Sequence, residues 1–168
     1  MTRGFDDLTR ISGIIICANP GVVNLRVSQY FDDLVPEKER PRIEQALMDK
    51  AAEDDLEVMQ FEQYIVVFRM LEVPPLTVIV IGDVNSNELF LERTIDVFDV
   101  ALGLLWPKET RSIAAVDAQI ENLYLLIDEV IDQGFVFCGS GEIAAARVTL
   151  AEDDAFAGKS TKNKPAFS

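Results

Sequence analysis

The chain has 168 residues, 49% of them hydrophobic, which is enough to bury one sizeable core and too little for two comfortable domains. Acidic residues number 29 against 15 basic ones, a formal charge of -14, which opposes binding to phosphate backbones and to anionic lipid leaflets. There is no histidine, which removes Ser-His-Asp and Cys-His catalysis and the usual zinc-hydrolase ligands, since each needs an imidazole.

From the N-terminus, residues 1–10 form an extension carrying Asp6 and Asp7, and the apolar run Ile14 to Ala18 is broken by Asn19-Pro20-Gly21. That run is too short for a signal peptide, and charge interrupts every other apolar stretch well before the roughly 20 residues of a membrane span. A soluble protein is expected. Ile11 to Ala18 and Val22 to Tyr30 flank the Asn-Pro-Gly turn as two strands of a hairpin, the second with Val23, Leu25 and Val27 alternating against polar neighbours. Pro41 pre-sets a helix start, and Ile43, Ala46, Leu47 and Ala51 then recur at three and four residues, an amphipathic first helix.

Three β-rich runs follow: Leu56 to Phe61, Tyr64 to Leu71 and Leu76 to Ile81. The last is apolar on both faces and belongs in the middle of a sheet covered on both sides. Asn85-Ser86-Asn87 reads as a cap for a second helix whose stripe is Leu91, Ile95, Phe98, Leu102 and Leu105, closed by Trp106 and Pro107. A third helix is expected from about Arg111 to Asp132, with Gly134 as the residue just past its end. Phe135 to Cys138 is a short extended segment and Gly141 to Val148 a last helical piece. Residues 11–150 make the domain. Residues 151–168, acidic and then Lys-containing, read as a disordered tail. Cys17 and Cys138 sit in apolar runs without C-x-x-C spacing and read as buried, reduced thiols.

The order β-β-α-β-β-β-α-α gives an α+β domain: a five-stranded antiparallel sheet with helices on both faces. This resembles the longin-like (profilin-like) order of the small subunits of clathrin adaptors and coatomer. Three stretches are similar to coatomer zeta subunits: Gln29-Tyr30-Phe31-Asp32-Asp33, Val80 to Leu89 with its Gly turn and Asn-Glu-Leu start, and Leu123 to Phe137, a helix ending in Asp-Glu, Asp and Gly before a strand. Cys138-Gly139-Ser140-Gly141 departs from the family's pattern. The resemblance implies a non-catalytic coatomer subunit nested in a gamma-type large subunit beside other coatomer subunits. Such a subunit is cytoplasmic and peripheral on Golgi membranes, reaches them only through an Arf-type GTPase and the coat, and binds no cofactor and no nucleic acid. A sigma-like small chain of a clathrin adaptor is the nearest alternative.

A third class is a small carboxylate- or metal-dependent enzyme built on Asp128, Glu129 and Asp132, although such acidic pairs, like Asp32-Asp33 and Asp54-Asp55, ordinarily sit at solvated element ends. Gly139-Ser140-Gly141 and Gly158-Lys159-Ser160 lack the rest of a phosphate-binding pattern. For a partner, the candidate surface residues are Tyr30 and Phe31 at one strand end, Leu89 and Phe90 at a helix start, and Trp106, which serves either as a lid on its helix or as an exposed anchor.

The charge yields the first expectation: without a partner the protein does not bind acidic liposomes or nucleic acid at physiological salt. Liposome co-sedimentation checks it, and sub-micromolar binding would contradict it.

Overall fold

The computed structural model describes residues 8–18, 25–53, 57–72, 74–107 and 112–160, the last four without their side chains. Five strands form one antiparallel sheet: β1 (Gly13–Ala18), β2 (Arg26–Tyr30), β3 (Val58–Phe61), β4 (Tyr64–Met70) and β5 (Leu76–Asp83), in the order β2-β1-β5-β4-β3. The strand read as apolar on both faces is the middle one, and every residue of β1 is buried beside it. The two strands pair from Gly13 opposite Ile81 to Ala18 opposite Leu76, so their β-branched side chains alternate between two cores.

On one face Ile15, Ile79, Ile81, Val66 and Phe68 pack against Ile43, Leu47 and Ala51 of α1 (Arg40–Glu53), which one 3-10 turn precedes. On the other face Ile14, Ile16, Val78 and Val80 share a core with four helices among the described residues: α2 (Glu88–Leu105), α3 (Ile113–Ala118), α4 (Ile120–Val130) and α5 (Gly141–Ser160). The expected longin-like α+β architecture, with helices on both faces, is therefore the architecture observed. α2 starts where its cap signal lies: the Asn87 side chain accepts the Leu89 N–H at 3.0 Å, and Leu91, Ile95, Phe98 and Leu102 are buried along its stripe. Arg69 on β4 ties this helix to the sheet through Asp96 at 2.6 Å and Glu92 at 3.4 Å. Cys17 and Cys138 are buried thiols with no disulfide, and burial pushes the Cys17 thiol up to about 11.

Three expectations change. The third helix is two, α3 (Ile113–Ala118), capped by Ser112, and α4, with the break at Gln119. α4 stops at Val130, because Ile131 and Asp132 form a strand, β6, that pairs with β7 (Phe135–Val136). Gly134 consequently follows no helix. Gln133 and Gly134, at φ +49° and +88°, are the central residues of a two-residue hairpin turn of the type that needs positive φ twice.

The last helix also runs on to Ser160, so residues 151–160 are helical rather than a disordered tail. Ala151-Glu152-Asp153-Asp154-Ala155 is acidic, but its Ala and Glu are strong helix formers, and Asn122 reaches Glu152 at 3.5 Å. Residues 161–168, residues 1–7, most of Arg111's surroundings (108–111) and the Asn19-Pro20-Gly21 turn lie outside the described residues. Residues 8–10, read as part of an N-terminal extension, touch the domain, with the Leu8 carbonyl accepting the Asn87 N–H at 2.8 Å.

Gly134→Val meets two penalties, a side chain at φ +88° and a Cβ 2.7 Å from the Ile11 carbonyl, which lies beside the bond from Ile11 N–H to the Gly134 carbonyl. Strain of about 1–2 kcal/mol and a lost hydrogen bond of about 1 kcal/mol give a loss of about 2–3 kcal/mol, lowering Tm by about 5–10 °C. Gly139→Ala, with nothing within 4 Å of the added carbon, leaves Tm within about 1 °C in the same melting series.

Candidate partner interface

β1 begins, and β2 and β5 end, at one end of the sheet, and the sequence places its polar and aromatic residues there. Gly13 faces Tyr30 across the β1–β2 pair, and a Cβ on Gly13 would lie 2.8 Å from the Tyr30 ring, so the glycine lets that ring lie across the strand. The Tyr30 hydroxyl donates to Glu44 Oε1 at 2.8 Å, Arg26 Nε approaches Glu44 Oε2 at 3.5 Å, and the Arg40 guanidinium sits 4.3 Å above the ring. Glu44 is only 5% exposed, so these contacts compensate a carboxylate on the buried side of α1. Burial first, and then the hydrogen bond to Glu44, hold the Tyr30 hydroxyl well above the usual tyrosine range.

Phe31 continues from β2 with its N–H donating to the Ser12 carbonyl at 2.9 Å, and it packs half-buried against the larger core and beside Gly134. Asp32 then accepts from Ser12 Oγ at 3.0 Å and from the Leu34 N–H at 3.0 Å, and pairs with Arg10 at 3.3 Å. Asp33 and Leu34 join Arg10, Ser12, Asp32, Asp83 and Asn85 in lining an open cleft of about 530 Å³. Apolar side chains stand exposed around this end: Leu8, Val84, Leu89 and Phe135, the last with Arg10 5.7 Å from its ring centre.

Of the residues picked from the sequence, Tyr30, Phe31, Leu89 and Phe90 thus come to the same end. Leu89 is 66% exposed, Phe90 half-buried, and Tyr30 and Phe31 are engaged within the fold. Trp106 does not join them. It is 1% exposed in the core at the far end of α2, about 25 Å along the axis from Leu89, and its Nε1–H has no acceptor among the described residues. Its role as an exposed anchor is overturned, and the reading as a lid on α2 stands. Leu8, Val84 and Phe135 were not singled out from the sequence, because each lies in a turn or short segment without periodicity. The only signal is an apolar residue within a Gly/Asp/Asn-rich junction.

The carboxylates considered for chemistry are dispersed. Asp128 accepts from Gln29 at 3.2 Å, Glu129 pairs with Arg147 at 3.4 Å, and Asp132 stands in β6. Asp54 and Asp55 lie outside the described residues, and no group of three His, Cys, Asp or Glu residues that could hold a metal ion occurs among the described ones. Ser140 caps α5, its Oγ taking the Ile143 N–H at 3.3 Å and donating to Glu142 at 3.0 Å. Hydrogen bonds from its own backbone and from Ser140 hold the Glu142 carboxyl below the usual range. Gly141 is small because a Cβ would meet the Val97 carbonyl at 2.6 Å, so close packing of α5 on α2, rather than an anion, explains that glycine. Among the described residues no helix is long and apolar enough to cross a membrane.

A five-stranded antiparallel sheet covered by one helix on one face and by four on the other among the described residues, with polar and apolar features gathered at one end, is a longin-like α+β fold. The same fold occurs in a chain of a homology model of the full-length AP-3 complex in a stretched open conformation, with a TM-score of 0.63 at 14% identity over 90% of this chain and 98% of that one. In sequence the chain is similar to coatomer subunit zeta-1 of Homo sapiens and of Bos taurus, each 27% identical over 148 residues, 88% of this chain and 81% of theirs. It is also similar to coatomer subunit zeta-3 of Arabidopsis thaliana, 25% identical over 154 residues, 89% of this chain and 83% of that one. No protein-family model matches the chain. These likenesses support a coatomer-zeta, longin-like assignment.

Tyr30→Phe removes the donor to buried Glu44 and lowers stability by about 1 kcal/mol at neutral pH. Because the folded hydroxyl titrates above its ordinary value of 10.0, the unfolded chain loses that proton first, and stability falls as pH rises above about 10. Urea titrations at pH 8 and at pH 11 check both effects: Tyr30→Phe lies below the parent at pH 8 and loses less on going to pH 11.

Proposed function

We propose that the chain is the non-catalytic small subunit of a coatomer-type vesicle coat, binding a gamma-type large subunit and joining the other coat subunits through it. Its work is then Golgi–ER vesicular transport, and it reaches the membrane only through that coat and an Arf-type GTPase. The observation carrying this reading is similarity to zeta subunits along 88–89% of the chain, which spans both faces of the sheet and the hairpin after α4. The charge of -14 supports indirect membrane attachment, since the protein has little cationic surface with which to hold anionic lipid.

The end that carries Leu8, Val84, Leu89 and Phe135 is our candidate for the gamma-type contact. Exposed apolar residues beside a polar, partly charged cleft supply the two kinds of group an interface combines, apolar anchors and polar partners. Leu89 is the cleanest probe, because its side chain points to solvent from the first turn of α2, whereas an Asp at half-buried Phe31 or Phe90 would disturb packing as well. Leu89→Asp is expected to leave Tm unchanged and to weaken binding to a gamma-type trunk by about 2 kcal/mol, roughly thirtyfold. Co-purification with gamma-type and with adaptor-type large chains reads this. Retention by the adaptor-type chain alone would favour the sigma-like reading. Undiminished co-purification of the folded variant with the gamma-type chain would move the contact elsewhere on the surface.

A further inference from the structure

β3 is the open edge of the sheet. At the other edge β2 is joined by α4, whose Asp128 accepts from Gln29 at 3.2 Å, whereas among the described residues β3 is paired on one side only, with β4. The Phe68 N–H donates to the Glu57 carbonyl at 2.9 Å, which sets the bonding pattern of the β3–β4 ladder. In an antiparallel ladder that pattern alternates, so Glu57, Met59 and Phe61 bond to β4 while the N–H and C=O of Val58 and Gln60 point out of the sheet. Apolar side chains flank these outward groups. Met59 and Phe61 lean half-buried on the α1 core, as Met48 of α1 does, and Val58 leans on the opposite core.

Edge strands are commonly guarded by a lysine, a proline or a bulge. Glu57-Val58-Met59-Gln60-Phe61-Glu62-Gln63 has no lysine and no proline, and its register with β4 is unbroken. It carries acid at both ends instead. Beyond Val58, Arg69 is shared by Asp96 at 2.6 Å, Glu92 at 3.4 Å and, through space, Glu57. Beyond Phe61, Arg42 is shared by Glu39 at 2.8 Å and Glu62 at 2.9 Å. Each end thus keeps a surplus of negative charge. A second copy would bring the same acidic ends and a further charge of -14, which opposes pairing of β3 with itself. We propose that β3 accepts an added strand from a partner protein: an extended segment with apolar residues at alternate positions, set beside Met59 and Phe61, and a Lys or Arg at each end to meet the acidic groups.

The probe is a synthetic peptide, Lys-Val-Thr-Val-Thr-Val-Arg, added at about 1 mM to the full chain while amide exchange is followed residue by residue by NMR. No coat subunit is present, so the outcome is independent of the proposed function. The amides of Val58 and Gln60 are expected to slow by about tenfold or more, while those of Met59 and Phe61, already bonded to β4, change by less than about twofold. The same peptide with Glu at both ends protects neither. Gln60→Pro removes an outward donor at an edge position where proline is tolerated, and abolishes the protection of Val58, whereas Gln60→Ala keeps the N–H and the protection. Should Gln60→Pro not fold, the alternation along β3 in the parent and the Glu-ended peptide still decide. No protection by the peptide, protection without alternation, or equal protection by the Glu-ended peptide would each overturn the proposal. So would slowing without peptide that grows with protein concentration, as pairing with a second copy would produce.

Discussion

The pairing of β1 with β5 is the constraint from which the rest of the structure follows. Both strands are apolar on both faces, so the pair has no stable place except between two layers of cover. One face takes α1, whose stripe Ile43, Leu47 and Ala51 is short, and the other takes the longer stripes of α2, α4 and α5. β2 and β4 then flank the central pair, and the sheet edges fall to β2 and to the four residues of β3. An antiparallel sheet with both faces buried leaves its ends, its edges and the backs of its helices to meet other molecules.

One of those ends is fixed by few groups that each serve several contacts. Asp32 holds Ser12, Arg10 and the turn at Leu34, while the carbonyl of Gly134 receives the Ile11 N–H and that of Ser12 receives the Phe31 N–H. The N-terminal segment, the end of β2 and the β6–β7 hairpin are thereby locked together, and the exposed residues Leu8 and Phe135 are carried on a rigid frame. Rigid presentation lowers the entropy lost when a partner docks. The same economy acts at Glu44, where one buried carboxylate fastens α1 to β2 through Tyr30 and Arg26.

Elements whose signal is local were legible in the sequence. Asn87 caps α2 because a short acceptor side chain directly before an apolar stripe has few other uses, and the unbroken run in β5 had to be central. The break at Gln119 and the stop at Val130 were not legible, since Val130 and Ile131 continue the spacing of three and four that marks a helix. Only pairing with Val136 turns Ile131 into a strand. Gly134 was read as the residue past a helix end, and a hairpin turn asks the same positive φ of a glycine. Past Leu150 the acidic composition concealed helix formers, and at Trp106 composition alone could not separate a core residue from an anchor. The site was legible only as a set of junctions. Burial of Phe31 and exposure of Leu89, at the ends of a strand and a cap, depend on what packs above them.

Charge gives the surface its remaining character. Six of the fifteen cations have partners within the fold: Arg10, Arg26, Arg42, Arg69 and Arg147 each meet a carboxylate, and Arg40 lies over Tyr30. These pairs are mostly exposed and individually worth little to stability, yet each offsets an arginine charge with a neighbouring carboxylate, and the surplus of acid over base remains. A partner that buries an apolar patch on such a molecule is selected by a basic rim as much as by shape, because a like-charged surface would be repelled before contact. The attraction would act mainly on the rate of encounter, which therefore falls with added salt, while the apolar centre around Leu89 would govern how long the partner stays.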